Sequence, residues 1–333
     1  MSDDTLSISI VMCAYTEDRW SDLVMAISSV KRQTVPVSEI ILVIDHNQSL
    51  FERAQETFRD VYVIENHDAP GLSGARNSGI ACAQGQIICF MDEDAIASSS
   101  WIETLLSGYS NAQIIGVGGE VKPLWAGATP GWIPEEFYWV VGCSYTGLPE
   151  TASPVRNPIG CNMSFRKDAL LAAGGFRNGI GRIGTIPVGC EETELSIRIR
   201  QIFPDTTILY QPEAVVYHRV PEWRTTWSYF AKRCYAEGLS KSKVTQFVGT
   251  ADGLSSERKY TSITLPKGIA RGIRNTFRYG EVDGIKRAGS IVAGLMLTTS
   301  GYLIGKIGST KPKGGPTTVN SEVAHDMSGQ IIL

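Results

Sequence analysis

The chain carries no strong charge of either sign. Its 31 basic and 34 acidic side chains among 333 residues leave a formal net charge of −3. No global basic field is therefore on offer to a nucleic acid. The seven cysteines, Cys13, Cys82, Cys89, Cys143, Cys161, Cys190 and Cys234, contain no CxxC pair and no metal-ligand spacing. Several fall inside apolar runs, as expected of free thiols in a reducing compartment rather than a disulfide framework. The opening MSDDTLSISIV has no basic stretch ahead of an apolar core, so no signal peptide is expected. Internal repeats and low-complexity tracts are missing before residue 308.

The first hundred residues alternate two kinds of pattern. SISIVMC (7–13), EIILVID (39–45), VYVIE (61–65) and QIICFMD (86–92) are continuous apolar runs, each of strand length. Between the first two lies SDLVMAISSVKRQT, with Leu23, Ile27 and Val30 at i, i+4 and i+7 on one helical face. SGARNSGIACAQG opens on a serine and stops at Gly85, as a capped helix does. Strands apolar at every position and separated by helices predict an α/β fold, with a mainly parallel sheet covered on both faces. Ligands of such sheets sit at the carboxyl ends of the strands, where Asp45 and the run Asp92, Glu93, Asp94 fall. Further on, IIGVGGEV, NPIGCNMSF and TTILYQPEAVVYHRV read as strands. A helix is expected from Asp168 to a Gly-Gly stop and another from GCEETEL. Residues 123–150, with three tryptophans among Pro and Gly, suit a long loop or lid.

Three clusters carry chemistry. Asp92 and Asp94 stand two apart at a strand end, which predicts both side chains on one face and Glu93 on the other. Converging carboxylates suit a hard cation, Mg²⁺ or Mn²⁺, with open positions for diphosphate oxygens. APGLSGARNSG (69–79) fits neither GxGxxG nor GxxxxGK, yet a glycine-lined helix start with Arg76 can hold phosphate. GCEETEL groups Glu191, Glu192 and Glu194, any of which can be a general base or a helix-dipole partner.

Taken in order, SIVMCAYTED, EIILVIDHN, GLSGARNSGI, CFMDEDAIASSSW, IGCNMSFRKDALLAAGGF, GCEETELSIRIRQ and AVVYH cover about two thirds of the chain, residues 7–220. This set resembles the family 2 inverting glycosyltransferases, whose fold is the nucleotide-diphospho-sugar transferase (GT-A) sheet. The resemblance implies that Ala14, Tyr15, Glu17 and Asp45 hold the nucleoside and that Arg76 contacts the nucleotide part of the donor. It implies that Asp92 and Asp94 form the DxD-type pair binding diphosphate through Mn²⁺ or Mg²⁺, with His218 as a further metal or diphosphate contact. The family's base is usually the Asp of a Glu-Asp pair. This chain has Glu191-Glu192 there, so the base stands open between the two. The partners implied are a nucleotide-sugar donor and a hydroxyl acceptor, lipid-linked or part of a cell-surface glycan. Two other readings compete: a non-catalytic sugar- or nucleotide-binding protein on the same fold, and a HAD-type phosphohydrolase, whose motif FMDEDAIA matches only loosely.

The C-terminal third reads differently. HRVPEWRTTWSYFAKRCYAEGLSK (218–241) mixes aromatics with basic residues, as at a membrane interface or a helix packed on the sheet. AGSIVAGLMLTTSGYLIG (288–305) is uncharged and short for a span, so a buried helix, an interfacial helix and a membrane span all remain open. Lys267, Arg271, Arg274, Arg278, Lys286 and Arg287 precede it, a charge run suited to an anionic cytoplasmic leaflet. The expected division is a catalytic domain over 1–220, a helical, partly basic extension over 221–283, an apolar helix over 284–307 and a disordered tail over 308–333. The expected location is the cytoplasmic face of the membrane, or the cytoplasm.

Overall fold

A computed structural model describes residues 6–181 and 189–309; the expected tail beyond residue 309 lies outside the described residues. Nine strands, β1 (Ile8–Ala14), β2 (Glu39–Ile44), β3 (Tyr62–Glu65), β4 (Ile87–Phe90), β5 (Ala95–Ala97), β6 (Ile114–Trp125), β7 (Ser153–Val155), β8 (Met163–Arg166) and β9 (Thr207–Val220), form one sheet. The order is β3-β2-β1-β4-β8-β6-β9-β5, with β7 on β9. The block β3-β2-β1-β4 is parallel, as the apolar runs predict. Past β4 the pairing is mixed, because β8 enters antiparallel between β4 and β6.

The helices are α1 (Trp20–Lys31), α2 (Gln48–Thr57), α3 (Leu72–Cys82), α4 (Trp101–Gly108), α5 (Lys167–Ala172), α6 (Glu191–Ile202) and α7 (Trp227–Val248). The C-terminal set adds α8 (Thr250–Gly253), α9 (Ser255–Lys259), α10 (Leu265–Tyr279) and α11 (Val282–Ser309). Alternate strand residues divide between two cores, as the period of a strand requires. Ile8, Ile10 and Met12 of β1 pack with Ile40 and Leu42 of β2 under Leu23, Ile27 and Trp101. Val11 and Cys13 pack with Ile41, Val43 and Phe90 under Ala75, Leu170 and Leu195. Every residue of β1 is buried, and its one polar side chain, Ser9, donates to Glu39.

The stretch read as a long lid is held down. Residues 135–141 form a 3-10 helix whose Phe137 and Val140 are buried with Phe230, Leu265 and Ile291. Trp132 packs at 5.4 Å on both Trp227 and Phe230, so part of the aromatic mix at 218–241 is core. Trp223 and Trp227 are nevertheless about half exposed.

α11 docks along α7 through small residues. A Cβ at Gly238 would collide with the carbonyl oxygen of Thr298, and one at Gly301 with that of Tyr235. The other side of α11 leaves Val292, Met296, Leu303 and Ile304 exposed. Val282–Ile307 is long and apolar enough to cross a membrane, with a mean hydropathy of 1.3. Its close seat on α7 nevertheless makes it one wall of the protein. Gly238→Val is expected to lower stability by about 1–3 kcal/mol through overpacking, read from denaturant unfolding. An unchanged midpoint would show that α11 is not seated on α7.

Candidate active site

The parallel block brings the carboxyl ends of β1, β2 and β4 to one edge, and the loops leaving them face a cavity of about 860 Å³. Ala14, Tyr15, Asp45, Arg76, Asp92, Asp94, Glu191, Glu192 and His218 all line it. Glu17 differs: it pairs with Arg53 of α2 at 3.4 Å and is not among the lining residues. Its place in the 3-10 turn Glu17–Arg19 carries the side chain away from the β1 end.

Asp45 follows β2 and accepts from Asn66 Nδ2 at 2.6 Å and from the Gly71 amide at 2.9 Å. Gly71 caps α3 with φ +115°, a conformation that favours glycine. A Cβ on Gly74 would strike the Ala69 carbonyl. The glycines of 69–79 therefore serve a tight return of the chain onto Asp45, and they start the helix that aims Arg76.

Arg76 is 2% exposed. Its Nη1 donates to Glu191 Oε1 at 3.0 Å, while Nη2 donates to Asp92 Oδ1 at 3.2 Å and to the Gly160 carbonyl at 3.1 Å. The ring of Phe176 lies 5.2 Å from the guanidinium. One buried cation thus joins the β4 end to the start of α6. Three of its N–H groups are engaged by protein acceptors, and the residue still lines the cavity.

Asp92, Glu93 and Asp94 lie in the turn between β4 and β5, so strand alternation does not govern them. Asp92 and Asp94 converge with His218, their ligand atoms all within 4.8 Å of one another. Glu93 shares Arg19 with Asp94 instead of facing away; Arg19 Nη1 lies 2.6 Å from Glu93 Oε1 and 3.1 Å from Asp94 Oδ2. Burial, then the Asp94 charge, raises the Glu93 pKa to about 7. For Asp94 burial acts the other way, but His218 Nε2 at 3.3 Å, Arg19 and Arg224 hold it well below the usual carboxylate range. His218 reaches Asp94 because β9 runs antiparallel to β5, setting His218 opposite Ala95. Two carboxylates and an imidazole form a donor set suited to a divalent cation.

Arg19 and Arg224 escape sequence reasoning, since neither belongs to a motif piece that singles it out. Arg224 is buried beside Asp94, and its Nε has no acceptor among the described residues. Also unread were Arg156, Arg233, Glu237, Lys241 and Glu257, which line the far wall. There Arg156 Nη1 and Nη2 grip Glu257 at 2.8 and 3.2 Å, Lys241 binds Glu257, and Arg233 binds Glu237 at 2.8 Å.

Glu191 and Glu192 open α6 after Cys190, which holds a left-handed φ of +73°. The Cys190 thiol donates to Glu237 Oε1 at 3.3 Å, tying this strained turn to α7. Arg76 is the counter-ion of Glu191. Glu192 accepts from the Thr193 hydroxyl at 3.1 Å and has no ion pair among the described residues. Burial, then the Glu191 charge, raises its pKa to about 7.

Residues 9–172 match the profile described as glycosyl transferase family 2. The chain is 35% identical over 240 residues to a glucosyl-dolichyl phosphate glucuronosyltransferase of Haloferax volcanii, covering 71% of this chain and 76% of that protein. It is 27% identical over 255 residues to the succinoglycan biosynthesis protein ExoM of Rhizobium meliloti, covering 73% and 77%. The fold is similar to that of a mannosyltransferase from Pyrobaculum calidifontis solved with GDP-Man and Mn²⁺ (TM-score 0.54, 14% identity, 89% of this chain and 88% of that one). It is also similar to GalNAc-T7 solved with UDP, GalNAc and Mn²⁺ (TM-score 0.52, 18% identity), covering 78% of this chain and about half, 54%, of that one. These likenesses make the fold GT-A, with the C-terminal helices as an addition to its sheet.

The raised pKa of Glu192 has a consequence for stability. Its neutral form favours the fold below the unfolded value near 4.5, and that contribution is lost as pH rises through about 7. Glu192→Gln is therefore expected to gain stability over wild type between pH 5 and pH 8, on the order of 1–3 kcal/mol. Denaturant unfolding at both pH values measures it; an equal gain at both would sink the assignment.

Proposed function

Because the chain belongs to glycosyl transferase family 2, we propose that its cavity moves a sugar from a nucleotide diphosphate to an acceptor hydroxyl with inversion, Glu192 being the general base. The observation that carries this reading is the contrast at 191–192. Glu191 pairs with Arg76 at 3.0 Å, whereas Glu192 has no cation within ion-pair distance among the described residues and has its pKa raised to about 7. A base works best with its pKa close to the operating pH. Glu192 would take the proton of the acceptor hydroxyl as that oxygen attacks the anomeric carbon. The nucleotide diphosphate leaves from the opposite face, and one displacement inverts the centre without a covalent sugar-enzyme intermediate.

On the donor side, Asp92, Asp94 and His218 would hold Mn²⁺ or Mg²⁺. When bound, the cation neutralises charge building on the leaving diphosphate. Arg224 offers its unpaired Nε to an anionic oxygen at the same place. Asp45, fixed by Asn66 and Gly71, and Tyr15 form the nucleoside end. Arg76 keeps the donor turn and the base helix in register through Asp92 and Glu191.

The acceptor we assign is lipid-linked, presented at the cytoplasmic face of a membrane. The exposed apolar side of α11 and the neighbouring cations of α10 support this. So does the relative whose name specifies a dolichyl phosphate. On this reading residues 1–220 are the catalytic unit, and 221–307 cover it and rest on the bilayer.

Donor binding is tested by thermal stability with a panel of nucleotide sugars, with and without Mn²⁺. A metal-dependent rise with one nucleotide family, lost in Asp94→Ala, is expected; no rise with any would overturn the donor site. Glu192→Gln should keep that rise while kcat falls about 10²–10⁴-fold. Wild-type kcat/KM should climb with pH through about 7 as Glu192 ionises. Donor binding with no turnover in the wild type would instead mark a binding protein.

A further inference from the structure

A second cavity, about 620 Å³, opens beside the first and shares Gly147, Lys259 and Thr264 with its lining. One wall is α10, whose Lys267, Arg271 and Arg274 are spaced i, i+4 and i+7 on one face. Lys259, at the end of α9, adds a fourth cation. Acids answer only one of them. Arg271 lies 2.9 Å from Glu136 and 4.0 Å from Glu135. Among the described residues Lys259, Lys267 and Arg274 have no carboxylate partner. Glu136 is buried at the bottom and keeps one carboxylate oxygen without a hydrogen bond.

Unpaired cations gathered in one concavity raise the local concentration of anions, and Arg with Lys is a chemistry for phosphate. The surroundings narrow the choice. Ile273 and Phe277, the latter 83% exposed, stand on the flank of α10, and Tyr279, Val282 and Ile285 continue the exposed apolar surface into α11. A phosphate carrying a hydrocarbon chain matches both features, whereas a soluble phosphate would leave the apolar flank uncovered.

We propose that this pocket binds the phosphate of the lipid-linked acceptor, its hydrocarbon lying along the apolar flank and its sugar entering the shared opening towards Glu192. The proposal rests on the lipid-linked reading above and narrows it to a site.

The test is binding without turnover. The purified full chain would be floated with vesicles of phosphatidylcholine alone, of phosphatidylcholine with phosphatidylglycerol, and of phosphatidylcholine with polyprenyl phosphate, the last two at matched surface charge. Wild type is expected to prefer the polyprenyl phosphate vesicles by about tenfold. The double variant Lys267→Ala/Arg274→Ala should lose that preference yet still bind the phosphatidylglycerol vesicles. Both side chains are exposed, so the fold should survive, and an intact thermal response to nucleotide sugar with Mn²⁺ would verify it. Equal binding to the two anionic vesicles would reduce the pocket to a general anionic-leaflet contact and overturn the proposal. So would a preference kept by the double variant, or competition by inorganic phosphate as effective as by farnesyl phosphate. None of these outcomes depends on catalysis, so failure here is separate from failure of the donor site or of Glu192.

Discussion

One buried guanidinium ties together the two sides of the cavity. Arg76 reaches from α3 to Asp92 in the β4–β5 turn, to Glu191 at the start of α6 and to the Gly160 carbonyl before β8. Three segments distant in sequence meet on it. A charge so deep is tolerated only with its partners in place, and the two carboxylates offset its burial. The division of labour at 191–192 follows. Glu191 has the cation at hydrogen-bond distance, whereas at the neighbouring Glu192 burial and the Glu191 charge outweigh a backbone hydrogen bond and the more remote Arg76.

Around Asp94 a second set of charges does the opposite work. Arg19, Arg224 and His218 converge on one carboxylate and hold it ionised. The same cations suit an anionic ligand, and Arg224 keeps a buried donor unused. A site that must receive charge is thus built from charges that are partly balanced beforehand. This is the preorganisation that makes electrostatic stabilisation effective in a water-poor cavity.

The C-terminal helices complete the cavity rather than trailing from it. Glycines 238 and 301 let α7 and α11 approach backbone to backbone, and the Cys190–Glu237 hydrogen bond couples α7 to the turn that opens α6 with Glu191 and Glu192.

By itself the sequence determined the parallel core and the positions of the acids. Continuous apolar runs at 7–13, 39–45 and 86–92 can only be strands buried on both faces, and acids directly after such runs fall at the ligand end of the sheet. The glycines of 69–79 and the Gly-Gly stop at 174–175 were legible for the same reason, being local backbone requirements. What the tertiary structure alone decided is which charges meet. Arg19, Arg224 and Lys241 look like ordinary surface cations in the sequence, and nothing local says that β9 will set His218 opposite Ala95. The different surroundings of Glu191 and Glu192 were equally hidden, because they depend on a guanidinium 115 residues away from Glu191. Apolar periodicity is a local property of the chain, whereas the pairing of a buried charge is settled only when distant segments pack.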